Sequence, residues 1–161
     1  MANPGGEIRD QLHFTGIAAA QSMRNAAAAP LNPAALLPDP SPGPINGTAW
    51  TPIIDGTPAL WSPPLGPGSA YLLLVHTGPS VPDVFLGAPS GWVLCSFAGP
   101  NPLAILGPVA DTGGPTPFPI PIPSDCSLVS VSLCSQVIAF DGGTGAFRWT
   151  NALDFTIGSM P

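Results

Sequence analysis

Proline is the feature that most narrows what this chain can fold into. The 161 residues include 24 prolines and 19 glycines, and from Pro30 to Pro44, and again from Pro115 to Pro123, a proline recurs every few positions. Inside a helix each would remove a hydrogen bond and clash with the preceding turn, at a cost of ~3 kcal/mol or more. Short extended segments separated by turns are what remains. From Ala49 onward the sequence has that form, with apolar runs at Ala49–Ile54, Ala59–Trp61, Ala70–His76, Val84–Leu86, Trp92–Phe97, Thr116–Ile122, Leu128–Phe140, Ala146–Thr150 and Leu153–Ile157. Short strands with Pro/Gly punctuation predict an all-β domain of two packed sheets, a β-sandwich of jelly-roll or Ig-like type. Asp141-Gly142-Gly143-Thr144-Gly145 reads as a hairpin turn between two of these runs, and alternation places Leu153, Phe155 and Ile157 on one face. Phe118, Ile120 and Ile122 alternate with Pro117, Pro119, Pro121 and Pro123. Such a segment has an apolar face but lacks a regular ladder of donors, so it belongs at a sheet edge or in a polyproline-like crossing.

The first 29 residues read differently. Asn3 can cap a helix, Pro4 suits its first turn, Glu7 and Asp10 suit its positive end, and Pro30 stops it. Ile8, Leu12, Ala19 and Met23 recur at helical spacing, and Gly16, Ala20 and Ala27 leave room for close approach of another backbone. The expectation is an α-helical arm over residues 1–29, packed on its own domain or docked on a neighbouring subunit. Residues 30–48 follow as a Pro-rich spacer, PLNPAALLPDPSPGP, extended by its prolines, and residues 49–161 form the sandwich domain. Asn46-Gly47-Thr48 is the one Asn-x-Ser/Thr sequon, a candidate glycosylation site at Asn46 that also arises by chance.

Charge excludes several classes of function. Only 7% of the residues are charged, there is no lysine, and the net charge is −6 with Arg9, Arg24 and Arg148 as the basic residues. No basic patch exists to replace counterions on a nucleic acid backbone. The longest apolar run, Ala70–Val75, is far below the ~20 residues that span a bilayer. The start, MANPGGEIRD, carries acids where a secretory signal has positive charge, so Met1 reads as part of the product. Cys95, Cys126 and Cys134 lack the spacing of a zinc or redox motif; one disulfide among them with one buried thiol is the expected arrangement.

No catalytic, cofactor or metal motif emerges. His13 and His76 are the histidines, no G-x-S-x-G elbow accompanies them, and His76 reads as a strand-end or packing residue. The aspartates stand singly beside Pro or Gly, as turn caps do, with Asp141 the nearest to a calcium ligand. Trp50, Trp61, Trp92, Trp149 and Tyr71 are core aromatics by default, and a sugar-stacking platform if two rings are exposed and coplanar, with Arg148 beside them.

The segments LGPGSAYLLLVHTG, VFLGAPSG, IPSDCSLVSVSLCSQVIAFD and TNALDFTIG, within residues 66–158, resemble a module of large secreted and surface proteins of planctomycete-type bacteria. Leu128, Leu133, Gln136, Asn151 and Ala152 carry its most specific stretch, while Cys134 stands where that pattern has an aromatic. The resemblance implies a β-sandwich without a known active site and an extracellular or cell-surface setting. Together with the scarcity of charge it leads to the functional expectation: a non-enzymatic subunit, without cofactor, that self-assembles into an extracellular filament, tube or surface layer, with residues 1–45 reaching onto a copy of itself. Removal of residues 1–44 is then expected to leave a folded domain. The alternatives are a carbohydrate-binding module, with glycans as partners, and a virion shell or decoration protein.

Overall fold

A computed structural model of the chain describes residues 16–40, 43–96 and 102–160. Their strands are β1 (Ala20–Arg24), β2 (Leu36–Leu37), β3 (Ala49–Trp50), β4 (Ile53–Asp55), β5 (Ala70–His76), β6 (Pro79–Phe85), β7 (Trp92–Cys95), β8 (Ala104–Ala110), β9 (Pro115–Pro117), β10 (Ile120–Pro121), β11 (Ser132–Phe140) and β12 (Phe147–Thr156). The longest pair, β11 and β12, forms a hairpin closed by the glycine-rich turn, where Gly145 N–H donates to the Asp141 carbonyl and Asp141 N–H to that of Ala146. Around it grows a five-stranded antiparallel sheet in the order β1-β12-β11-β5-β8. The pairs β10-β3 and β6-β7 and the triplet β2-β4-β9 complete the architecture. The result is a set of antiparallel sheets packed face to face, consistent with a β-sandwich.

Register decides what each face of the central sheet carries, because opposed residues on antiparallel strands share a face and neighbours along a strand alternate. One face presents Tyr71, Leu73 and Val75 from β5, Val137 and Ala139 from β11, and Leu153 and Phe155 from β12. These join Leu36, Trp50, Ile54, Trp61, Phe118 and Ile122 in the main core beneath the small sheets. The opposite face presents Leu74, Cys134, Gln136, Trp149 and Ala152, packed against Val93, Leu94 and Cys95 of the β6-β7 hairpin. A bulge in β12 makes both packings compatible: Gln136 opposes Ala152 and Ile138 opposes Trp149, so Thr150 and Asn151 together face the single residue Val137.

The prolines close an edge. Phe118 N–H donates to the Pro52 carbonyl and Ile122 N–H to that of Thr48, so the alternate positions 117, 119 and 121 direct their backbone away from β4 and β3. Each is proline, with no N–H to offer an incoming strand. The expected edge placement of this segment is therefore what the fold shows, with β9 and β10 both terminal in their sheets.

The helical arm is corrected. Among the described residues there is no α-helix, and Ala20–Arg24 forms a five-residue antiparallel pairing with β12 from Ala20↔Thr156 to Arg24↔Ala152. Tertiary contacts override a modest helix propensity: the pairing satisfies one edge of β12 and lets Arg24 reach Asp154 and the Leu94 carbonyl. Residues 1–15 of the expected helix, Ile8 and Leu12 among them, lie outside the described residues. The Pro-rich stretch also packs on the domain rather than standing off as a spacer. Ala35 and Leu36 are fully buried, and Leu36–Leu37 pairs with β4. The run at Ala59–Trp61 is not a strand; Pro58–Leu60 makes a single 3-10 turn instead. Strand β8 was unforeseen, because Gly107-Pro108 interrupts its pattern; those two residues bulge opposite Leu72, and Gly107 has φ 107°, where a side chain is strained.

Candidate functional site

The densest gathering of chemically able side chains lies between the central sheet and the β6-β7 hairpin. Pairing lines up His76 of β5, Cys134 of β11, Asp154 of β12 and Ser22 of β1 in one row on one face. Arg24 closes over this row. Its Nε donates to Asp154 Oδ2 at 2.6 Å and one terminal nitrogen to Asp154 Oδ1 at 3.3 Å, a two-point grip on one carboxylate. That same nitrogen donates to the Leu94 carbonyl at 2.7 Å and lies 3.5 Å from Cys134 Sγ, while the other reaches Asp83 at 3.5 Å. Cys134 is joined to Cys95 of β7 by a disulfide, Cα to Cα 5.6 Å, in the fully buried part of this layer. His76 is buried as well, and burial pushes its imidazole below the ordinary histidine range, opposed by a backbone hydrogen bond with Ser96.

Buried amides bind the same layer. Gln136 Oε1 accepts from Leu94 N–H at 2.9 Å, and its Nε2 donates to the carbonyls of Trp92 and Thr150. Asn32 donates to those same two carbonyls and accepts from Trp92 N–H. Asn151, freed from the ladder by the bulge, exchanges two hydrogen bonds with the backbone of Leu36. In this arrangement the thiols of Cys95 and Cys134 are spent on each other, Asp154 on Arg24, and the amides on backbone groups. Its chemical capacity is to fasten three layers together.

Asp141 is likewise committed. Its Oδ1 accepts from Gly66, Gly143 and Thr144 N–H at 3.0, 2.9 and 3.3 Å, and these bonds, led by that from Gly66, hold its carboxyl below the usual carboxylate range against the opposing effect of burial. The calcium-ligand reading of this residue meets a carboxylate that staples the hairpin turn to the Gly66 loop. Arg148 beside it is buried over the Trp61 ring, 5.3 Å from its centroid, and donates to the Pro63 carbonyl. On the same sheet face, with its ring 6.2 Å from that of Trp61, Tyr71 has its phenol pushed up by burial first and then by Asp111 and Asp55, so it stays protonated. Gly56 covers that phenol so closely that a Cβ there would lie 2.7 Å from the Tyr71 hydroxyl oxygen and 2.2 Å from Asp111 Oδ1.

The remaining expected residues separate. Trp50, Trp61, Trp149 and Tyr71 are buried, and Trp92 is half-buried with its indole donating to the Pro30 carbonyl and its ring tilted against Phe85 at 4.8 Å. No pair of them forms an open platform. Cys126 is a free, exposed thiol rather than a buried one. Asn46 is half-exposed in a turn, its Oδ1 accepting from Asp125 N–H at 2.9 Å. Ala19 and Met23 lie at the β1 edge, Met23 exposed. Sequence reasoning missed the part played by Arg24 and Asn32, and the one available signal concerned Arg24, one of three basic residues in the chain.

Two open hollows mark the surface. One, about 360 Å³, lies among Leu31, Leu60, Phe85, Pro89 and Trp149; the other, about 400 Å³, lies among Ser22, Thr77, Ser132, Asp154 and Thr156. Neither brings together a nucleophile, a base and an oxyanion donor. No described helix is long and apolar enough to cross a membrane. Comparison with family models, curated proteins and solved structures finds no match to this chain.

Proposed function

We propose that this chain is a non-enzymatic structural subunit, a β-sandwich of jelly-roll or Ig-like type that self-assembles into an extracellular filament, tube or surface layer. The observation that carries the reading is the character of the surface. Large apolar side chains, among them Leu31, Val81, Leu86, Leu103, Ile105 and Phe147, stand exposed on a chain of which only 7% is charged, and both described arginines are turned to internal partners. A diffusing monomer avoids such a surface and an assembling one uses it. The Cys95–Cys134 disulfide supports an oxidising, extracellular setting, as does the resemblance to planctomycete-type surface modules. With β1 built into its own sheet, the segment left to reach a neighbour is residues 1–15. A virion shell protein would share these features. The test is light scattering of the purified chain against a version lacking residues 1–15. Large particles from the full chain support the reading; their loss in the shortened, folded chain assigns contact to that segment, whereas scattering of a monomer from the full chain at all concentrations overturns the reading.

A further inference from the structure

The sequon Asn46-Gly47-Thr48 is a motif that the proposed assembly leaves unused, and the fold sets it at the surface. Asn46 and Gly47 turn the chain between Ile45, which bridges to Gly158, and Ala49 at the start of β3. Gly47 is exposed, and so is the run 123–127 beside it. The Asn46 amide has one orientation, because its Oδ1 accepts from Asp125 N–H at 2.9 Å and only the oxygen of an amide can accept. Its Nδ2 is neither buried nor hydrogen-bonded to any described residue. The backbone here is closed late in the chain: Asn46 N–H donates to the Gly158 carbonyl and Gly158 N–H to that of Pro44. Until the end of the chain has been made, the sequon has no such partner and is open to an enzyme.

We propose that Asn46 carries an N-linked oligosaccharide that screens Cys126, an inference that rests on the extracellular setting proposed above and not on self-assembly. The donor is an oligosaccharide joined through pyrophosphate to a lipid. Asn46 Nδ2 forms a bond to the anomeric carbon, the bond from that carbon to the pyrophosphate oxygen breaks, the lipid pyrophosphate leaves, and one Nδ2 proton passes to a base of the transferase. The middle residue of the sequon is glycine and not the proline that blocks the reaction. The product keeps the amide oxygen, so the bond from Asp125 N–H survives the modification and holds the attachment point in place. That bond also gives the glycan a task. Cys95 and Cys134 are joined, which leaves Cys126, the residue after Asp125, as a free and exposed thiol. In an oxidising setting such a thiol pairs with other molecules. A bulky, hydrated oligosaccharide rooted beside Asp125 stands between that thiol and an approaching disulfide.

Peptide mapping by mass spectrometry of the full-length chain isolated from its own cells tests the proposal without any variant. A glycopeptide spanning Asn46 is expected, and an amide-cleaving glycosidase should convert it to the plain peptide with the side-chain amide turned to an acid. In the same cells Asn46→Gln and Thr48→Ala should abolish the glycan, whereas Thr48→Ser, which keeps a hydroxyl at that position, should retain it. Cys126 should react with a bulky maleimide several times more slowly before release of the glycan than after it. An unmodified Asn46 peptide as the sole form overturns the proposal, and large particles formed by that unmodified chain would leave self-assembly standing. A glycan on a chain that stays monomeric at every concentration supports the modification while overturning the assembly. Equal reactivity of Cys126 before and after release overturns the screening.

Discussion

Gln136 carries a disproportionate share of the order in this molecule, because one buried side chain does the work of a missing ladder. It accepts the Leu94 amide and donates to two carbonyls, which Asn32 also serves. Replacement by Met would keep the volume and leave the carbonyls one partner each, but orphan the Leu94 amide. A buried unpaired donor costs ~1–3 kcal/mol, so Gln136→Met should lower the urea midpoint by a corresponding amount with an unchanged denaturant slope. His76 gives a pH dependence of definite sign. Its folded pKa is lowered from 6.5 by burial, so the unfolded chain binds the proton more readily. Its contribution is complete above pH 6.5 and is lost as pH falls from there through the folded value, with a slope of at most ~1.4 kcal/mol per pH unit. Unfolding between pH 7.5 and 5 should show that decline in the wild type, and His76→Gln should flatten it. The packing role of His76 and the core role of four aromatics were legible from sequence, because apolar runs define what surrounds them. The partners of Arg24, Asn32 and Asn151 were not, since their bonds to Leu94, Trp92 and Leu36 span 70, 60 and 115 residues and depend on registers that no local pattern specifies.

At the scale of elements, the alternation of proline with Phe118, Ile120 and Ile122 was fully readable, because a missing N–H is a property of the residue itself. The structure adds direction: the inward amides are paired and the outward ones are absent. Restoring them with Pro117→Thr, Pro119→Val and Pro121→Thr together should keep the inward bonds of Phe118 and Ile122 and open the edge. The expected outcome is a folded domain that forms strand-paired aggregates binding thioflavin. A variant that binds thioflavin no more than the wild type would show that the prolines do not guard this edge. The N-terminal element was misread for the complementary reason. Alanine, serine and methionine tolerate helix and strand alike, and the choice was made by β12, more than a hundred residues away. Likewise β8 was hidden by Gly107-Pro108, whose bulge is meaningful only opposite Leu72.

On the scale of the whole molecule, the domain takes in segments as early as Ile17. Ile17 and Ser159 exchange hydrogen bonds, and Arg24, Asn32 and Leu36 hold the hairpin and the main core. Removing residues 1–44 would therefore take away a strand of the central sheet and much of its fastening, and the shortened chain should fail to show cooperative unfolding. A chain lacking only residues 1–15 should unfold cooperatively. The sandwich class was legible because composition and punctuation allow few others; the place of the β6-β7 hairpin on the central sheet was not, because its contacts join residues far apart in the chain. The proposed meeting of this chain with its own copies rests on its few charges and the apolar side chains on its surface. Negative-stain electron microscopy of the full-length chain under non-denaturing conditions tests that claim most directly. Regular filaments, tubes or sheets are the predicted result, and a field of dispersed small particles at every concentration would contradict it.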